Sequence, residues 1–189
     1  MLHPSESEDL MVRRVLVGLL LALATTWADV DAQTAQKFSI QASALGVQLT
    51  GLGDAEAAFG GGGEIQLRWN PSAFSLGLGF QTTTHDSEPN SVTFRGGFLE
   101  PRYVVGALGE SVGVYLSGRL MSLNATFLIL GSEIEIDGTA VSGGGGILVR
   151  LGSRVNGDLG VTVGKEFYDG EAADGVTVVT RLGLAVGIG

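Results

Sequence analysis

The chain has 189 residues, with 20 acidic against 11 basic side chains and a formal net charge of −9. It contains no cysteine, which excludes a disulfide framework, a cysteine-ligated metal and a lipid-anchored lipoprotein. The acidic balance and the dispersed basic residues argue against nucleic-acid binding. The 31 glycines have no three-residue period, which excludes collagen, and their abundance disfavours helices and suits tightly paired strands.

The N-terminal segment has the features of a secretory signal. Arg13 and Arg14 precede a short apolar run at 15–24, and compact residues further on predict cleavage after Ala32, with Ala28 as a second option. The apolar run is too short for a membrane-spanning helix, which needs about 20 residues. We expect export by the general secretory route, because the surroundings of the arginine pair lack the other residues of a twin-arginine signal.

The chain therefore divides into two parts. Residues 1–32 are assigned to a signal peptide, and both Met1 and Met11 are open as its start. Residues 33–189 are assigned to one domain, since their number suits a single folding unit.

Eight segments after the signal alternate apolar side chains with polar or small ones. Side chains of a β-strand point to opposite faces with a period of two, so each segment predicts a strand with one apolar face. The alternation is clearest in the last segment, where Val176, Leu182 and Val186 share one face and Thr177 and Arg181 the other. The predicted strands are 37–50, 63–70, 73–83, 91–104, 111–123, 139–151, 153–166 and 176–189.

Two of these segments contain an interruption. The alternation slips at Leu45 in the first, which predicts a β-bulge. It blurs around Pro101 in the fourth, because proline has no N–H to donate to a neighbouring strand. Earlier in the fourth segment, the phase places Phe94 and Phe98 on the apolar face and Arg95 on the polar face.

The connections alternate in length. Those near residues 70–72, 105–110 and 151–153 are short, whereas longer loops are predicted at 51–62, 84–90, 124–138 and 168–175. This is typical of an outer-membrane barrel with periplasmic turns and extracellular loops, and an even strand number places both mature termini in the periplasm. Closure of the sheet would also remove its exposed edges.

The charges are segregated along the chain. After residue 32, all basic residues fall in predicted strands, and most acidic residues fall in the four predicted loops. A buried charge is tolerated when it is paired and hydrogen-bonded, so we predict a charge network inside the barrel. Its predicted members are Glu64, Arg68, Arg95, Arg119, Arg150, Arg154, Asp158, Glu166 and Arg181. A filled lumen is favoured over an anion-selective path, because eight strands leave room for little more than side chains.

Aromatic residues cluster near the predicted strand ends. Two girdles are expected where a membrane barrel meets the two bilayer interfaces. Phe38, Trp69, Phe74 and Tyr103 would form one, and Phe80, Phe94, Phe167 and Tyr168 the other.

The eight-strand pattern, the signal and the stretch Phe98-Leu99-Glu100-Pro101-Arg102-Tyr103 resemble small outer-membrane barrels of the OmpA/OmpX and OmpW-like kind. The resemblance implies an all-β, eight-stranded antiparallel up-and-down transmembrane β-barrel in a Gram-negative outer membrane. It also implies contact with outer-membrane lipid, a monomer, and a structural or small-solute (porin-like) passage role.

The C-terminal strand resembles the assembly signal of such barrels, which implies recognition by the barrel assembly machinery. Arg181, Gly183, Val186 and Ile188 match the spacing of that signal. The chain departs from it at the end, where Gly189 stands in place of the usual aromatic residue.

Catalytic candidates are few. His85 and Ser87, with Glu88 and Glu100 nearby in sequence, contain the residue types of a lipid-modifying barrel hydrolase. They fall in a predicted polar loop, so a solvated loop is the favoured interpretation. We therefore expect no enzymatic activity and no cofactor.

Two acidic clusters are candidates for cation binding, because hard cations take carboxylate oxygens. One is Asp169, Glu171 and Asp174, and the other is Glu133, Glu135 and Asp137. Neither has the EF-hand spacing, so solvated loops are favoured and no metal site is assigned.

One alternative architecture stays open at this stage. Alternation alone does not say which face lies inside, so a secreted, lipocalin-like barrel that holds a hydrophobic ligand would share the same pattern.

Overall fold

In the computed structural model of the protein, the described residues are 36–50, 58–87, 90–129, 132–169 and 175–188. The predicted signal peptide lies outside these ranges. The described residues form eight β-strands, as the sequence predicts. They are β1 (Phe38–Thr50), β2 (Ala58–Trp69), β3 (Phe74–Ser87), β4 (Asn90–Ala107), β5 (Val112–Ile129), β6 (Ser132–Arg150), β7 (Val155–Tyr168) and β8 (Gly175–Ile188).

The strands form a closed antiparallel barrel in which each strand pairs with its neighbours in chain order. Closure occurs between β1 and β8, whose pairing runs without a break from Phe38↔Ile188 to Thr50↔Val176. The first and last strands therefore leave no free edge between them. Among the described residues there is no helix long and apolar enough to cross a membrane.

The two ends of the barrel differ. The end that carries the short turns at 70–73, 108–111 and 151–154 is called the turn end, and Phe38 and Ile188 both lie there. In the turn between β4 and β5, Gly109 has φ of 73°, a conformation that favours glycine. The opposite end is called the loop end.

The apolar face of the strands lies on the outside. Its large aliphatic side chains do not form the core but are exposed in a band around the barrel. Such a band suits contact with the hydrocarbon of a bilayer and not with water. These side chains are Ile40, Ile65, Leu67, Leu78, Leu99, Leu116, Leu120, Val141, Leu159, Val161, Val163, Leu182, Leu184 and Val186.

The predicted aromatic girdles are present in part. At the turn end, Phe38 pairs with Trp69 and Phe74 pairs with Tyr103, and all four rings are exposed. Towards the loop end, Phe80 and Phe167 are exposed, but Phe94 is buried and Tyr168 is half-buried beside it in an inward-facing cluster. The prediction for Phe94 and Tyr168 was therefore wrong.

The bulge predicted at Leu45 is absent. Strand β1 keeps an unbroken register with both neighbours, and Leu45, Val47 and Leu49 continue the inward face that Gln41 and Ser43 begin. The inward-facing side chains change from polar to apolar along the barrel axis. In the sequence, this change looks the same as a one-residue shift of the alternation.

Strand β4 also differs from its predicted phase. Phe94, Phe98, Glu100 and Arg102 are buried inside, and Arg95 is exposed on the opposite face. Alternation continues through Pro101, whose ring is exposed, and the register shift falls later, between Val104 and Gly106.

Two of the predicted long loops are largely strand. Strands β4, β5 and β6 have 18, 18 and 19 residues, well beyond the 9–11 that cross a bilayer. The β5–β6 hairpin keeps its pairing to Ile129↔Ser132, whereas the β6–β7 pairing ends at Gly138↔Tyr168. The hairpin therefore projects beyond the barrel at the loop end.

Depth in a bilayer can be tested with one substitution at two positions. Leu182, in the middle of β8, and Leu151, in a turn, are 66% and 61% exposed. We expect Leu182→Arg to lower the free energy of unfolding in lipid vesicles by about 2–4 kcal/mol, and Leu151→Arg by about 0–1 kcal/mol, because the cost of a charge depends on its depth. Equal losses in a urea titration would contradict a lipid-facing exterior.

Candidate functional site

The lumen is crossed by a cluster of charged side chains from five strands. The cluster, called the charged plug here, consists of Arg68, Arg102, Arg119, Arg181, Glu64, Glu100 and Asp158. All seven alternate along their strands with outward-facing apolar residues, so the pleat of the sheet turns them inwards.

Glu100 lies at the centre of the charged plug. Its carboxylate accepts from Arg68 Nη2 at 2.6 Å and from Arg102 Nη2 at 3.1 Å through Oε1. Through Oε2 it pairs with Arg181 Nη1 at 2.8 Å and also with Arg119. Its side chain is 0% exposed, so these guanidinium groups replace the water that a carboxylate otherwise needs.

Asp158 is the second shared acceptor. Its Oδ2 accepts from Arg102 Nη2 at 2.8 Å and from Gln41 Nε2 at 2.7 Å, and its Oδ1 accepts from the Tyr115 hydroxyl at 2.6 Å. Arg181 Nη2 in turn donates to the Tyr115 hydroxyl at 3.2 Å. The hydrogen bonds therefore connect strands on opposite sides of the barrel.

Aromatic faces complete the plug. The guanidinium carbon of Arg102 lies 4.0 Å from the centre of the Tyr115 ring, and that of Arg119 lies 3.9 Å from the centre of the Phe98 ring. Such stacking stabilises a cation through the ring quadrupole.

Inward-facing glycines provide the room that these long side chains need. A Cβ at Gly146 would lie 2.6 Å from the Tyr115 hydroxyl, and one at Gly77 would lie 2.8 Å from Arg68 Nη2. At Gly183 a Cβ would lie 2.5 Å from Ser43 Oγ. Since these distances are too short for a carbon contact, larger residues here would displace the plug.

Between the charged plug and the loop end, part of the lumen is apolar. Leu49, Phe94, Phe98, Met121 and Leu123 form a buried cluster together with Ala125. This apolar layer contains residues from β1, β4 and β5, so it narrows the lumen from opposite walls.

The cavities that the described residues enclose are small. One of about 40 Å³ lies beside the apolar layer, between Val47, Phe94, Arg119 and Glu166 among others. Two more, of about 20 and 10 Å³, adjoin the charged plug. A single water needs roughly 10–15 Å³, so each holds one to a few waters and none forms a continuous path.

The structure brings five of the nine predicted network residues into the charged plug: Glu64, Arg68, Arg119, Asp158 and Arg181. Glu166 also faces the lumen but lies towards the loop end, where Tyr168 donates to it.

Three further predicted members also lie outside the plug. Arg95 is exposed on the outer face of β4, Arg154 is exposed in a turn, and Arg150 is half-buried at the turn end of β6. Arg95 was misplaced because its strand was assigned the opposite phase, and the other two because they lie at or beyond the end of a strand.

The sequence interpretation omitted two members of the plug, Arg102 and the central Glu100. Both lie beside Pro101, where the alternation had seemed to blur. The signal was nevertheless present, because Glu100 and Arg102 are two residues apart and alternate with Leu99 and Tyr103.

His85 lies in a strand and not in a loop. It is 1% exposed on the inner face of β3, with its ring edge-on to Phe94 at a centroid distance of 5.3 Å. His85 pairs with Val92 on β4, and Val92 precedes Glu100 by eight residues. At about 3.3 Å per residue, His85 lies roughly 26 Å from Glu100 along the strand direction. Glu100 therefore cannot orient this imidazole.

The acidic clusters give no assembled cation site among the described residues. Glu133, Glu135 and Asp137 are exposed on β6, and Asp169 is exposed after β7. Glu171 and Asp174, which complete the other predicted cluster, lie outside the described residues.

No protein-family profile matches the chain, and no curated protein matches it in sequence. Solved structures do share its fold. Neisserial surface protein A (NspA) superposes with a TM-score of 0.70 at 14% identity, covering 80% of this chain and 97% of that one. Ail, the attachment invasion locus protein of Yersinia pestis, superposes with a TM-score of 0.56 at 14% identity, covering 80% and 97%. Ail in complex with the heparin analogue sucrose octasulfate gives 0.55, with 79% and 96% covered.

The closed sheet, the exposed apolar band and the buried charges together define a transmembrane β-barrel. Its fold is the eight-stranded antiparallel barrel of small outer-membrane proteins such as NspA and Ail.

The charged plug predicts a large effect of one neutral substitution. Glu100→Gln keeps the shape of the side chain but leaves four buried guanidinium groups facing an amide. We expect the free energy of unfolding to fall by about 3–5 kcal/mol, as when one partner of a buried ion pair is removed. The matched control is Glu133→Gln on exposed β6, for which we expect no measurable change. Similar denaturant midpoints for the two variants would show that Glu100 does not hold the plug together.

Proposed function

We propose that the protein is an integral outer-membrane barrel with periplasmic termini, which acts as a closed membrane anchor for the structures at its loop end. The observation that carries the proposal is the combination of an apolar exterior with a lumen that the side chains of the described strands largely fill. The exterior supports residence in lipid, and the filled lumen supports a structural role over passage of solutes.

The lumen argues against a diffusion path on size and on charge. The lumen cavities seen among the described residues have volumes of about 40, 20 and 10 Å³, and the charged plug and the apolar layer lie in series between the two ends. A hydrated solute would have to break several buried ion pairs and then cross an apolar constriction.

The geometry also disfavours the lipocalin-like alternative. In a soluble ligand-binding barrel the aliphatic rows would line an internal cavity. Here those rows are on the outside, and the apolar part of the lumen is packed by its own side chains. The proposal likewise includes no catalytic site and no cofactor.

The structure that such an anchor would present is the projecting β5–β6 hairpin. Its β6 strand exposes Glu133, Glu135 and Asp137. We propose that this acidic surface faces the cell exterior. A surface partner suited to it would carry positive charge, in contrast to the polyanionic heparin analogue bound in one of the Ail structures.

The remaining partners follow from the same proposal. Outer-membrane lipid would cover the apolar band, and the barrel assembly machinery would engage β8. We propose a monomer, because closure of β1 on β8 leaves no barrel edge for a second copy to extend.

Two matched insertions test the location and orientation. A specific protease site is placed after Leu130, between β5 and β6, or after Gly152, in the turn between β6 and β7. When the protease is added to intact cells, we expect cleavage at the first site and not at the second, and cleavage at both after the outer membrane is permeabilised. Protection of both sites in intact cells, with the protein in a soluble fraction, would overturn the proposal, as would the opposite pattern of cleavage.

Planar-bilayer recording tests the closed lumen. We expect the folded protein to give no stepwise conductance above that of protein-free detergent, because no water-filled path crosses the plug. An open porin reconstituted in the same bilayers serves as the positive control. Reproducible conductance steps from the folded protein would favour small-solute passage over a purely structural role.

A further inference from the structure

A small cavity lies in the lumen between the charged plug and the turn end. Its volume is about 20 Å³, and the residues lining it include two guanidinium groups and no carboxylate. Hydroxyl and amide side chains form most of the remaining wall. The polar residues that matter for its chemistry are Arg68, Arg102, Ser39, Ser75, Asn70 and Gln41.

The charged plug beside this cavity has an unbalanced charge. It contains four arginines against Glu64, Glu100 and Asp158, which leaves a surplus of one positive charge, 4 − 3 = +1. Glu166, a further buried lumen carboxyl, is not counted because its hydrogen-bond partner is Tyr168, towards the loop end. An arginine does not lose its proton in a protein, so the surplus cannot be removed by titration. Burying an uncompensated charge is costly, and a compensating anion would relieve that cost.

The surplus is concentrated on Arg68. Arg119 pairs with two carboxylates, as does Arg102, and Arg181 contacts all three. The only carboxylate that pairs with Arg68 among the described residues is Glu100, which it shares with the other three arginines. Its other acceptors are neutral: Gln66 Oε1 at 2.8 Å, Ser75 Oγ at 3.0 Å and the Glu100 carbonyl at 3.4 Å.

Two buried donors of residues that line the cavity are also unused, as is one acceptor, Gln41 Oε1. The Nε groups of Arg68 and Arg102 have no hydrogen-bond partner within the described part of the chain, although the two side chains are only 3% and 2% exposed. Unpaired buried donors are rare in folded proteins and indicate a partner that the polypeptide does not supply.

We propose that this cavity binds one small monatomic anion of the chloride class, next to Arg68. The charge surplus supplies the attraction, and Arg68, Arg102 and the Ser39 and Ser75 hydroxyls supply donors. A volume of about 20 Å³ suits one particle of the size of a water or a monatomic ion, so the proposal names a monatomic anion and not an oxyanion such as phosphate or sulfate. This site requires only the folded lumen, so it stands independently of the proposed cellular role.

Chloride-35 NMR of the folded barrel in detergent tests the site directly. With gluconate as the balancing anion, which is too large for the cavity, we expect saturable broadening of the chloride line by the wild-type protein. Bromide should compete for the site, and additional gluconate should not. Absence of broadening, or broadening that does not saturate, would overturn the proposal.

Charge-matched variants separate the cavity from surface attraction. Arg68→Gln removes the surplus, and we expect it to weaken chloride binding by at least about tenfold, equivalent to about 1.4 kcal/mol. Arg154→Gln removes the same charge from an exposed turn at the same end of the barrel, and its binding should equal that of the wild type. Equal losses of chloride affinity in the two variants would indicate nonspecific surface binding and would contradict the proposal.

A second variant tests the site even if Arg68→Gln does not fold. Ser75→Asp places a permanent carboxylate where the hydroxyl already accepts from Arg68 Nη1 at 3.0 Å. This carboxylate should replace the anion, so we expect the broadening of the chloride line to disappear. The protein should still fold, which is checked by the different gel migration of heated and unheated samples. Undiminished chloride binding by folded Ser75→Asp would locate the anion elsewhere.

Discussion

The charge balance around Glu100 is the constraint on which the rest of the structure depends. A transmembrane barrel with an apolar exterior must place its charged side chains in the lumen, where neither lipid nor bulk water can solvate them. Glu100 meets this requirement by accepting from Arg68, Arg102, Arg119 and Arg181 at once. Because these residues come from different strands, the ion pairs also hold opposite walls of the barrel together.

The lumen combines two kinds of packing along one axis. Near the turn end it is a polar network, in which Tyr115 and Gln41 complete the coordination of Asp158. Towards the loop end it is partly apolar, with Phe94 and Met121 in a buried cluster. The apolar layer adjoins the charged plug directly, since Phe98 belongs to the layer and its ring also stacks on the Arg119 guanidinium.

Period-two alternation was sufficient to predict the strand number and the residues that share a face. The alternating loop lengths and the export signal were also needed to predict an antiparallel membrane barrel with its aliphatic face outside. Alternation failed where its simplest assumption, that apolar means outside, does not hold. Phe94 and Phe98 are apolar yet face inwards, so assigning them to the lipid face also misplaced Arg95 and concealed Glu100 and Arg102. At Leu45 the same assumption led to the prediction of a bulge. The strand has no bulge there, because its lumen-facing side chains simply change from polar to apolar.

The sequence alone therefore determined the class of fold, because the pleat of a β-strand makes alternation a direct property of local geometry. It also identified most of the buried charges. When the apolar face of a strand contacts lipid, a charged side chain on the other face must point into the lumen. Only the tertiary structure decided which of these charges meet, because contacts across a lumen depend on strand register and barrel closure between distant segments. For the same reason, the surplus charge on Arg68 and the cavity beside it became visible only when all eight strands were in place.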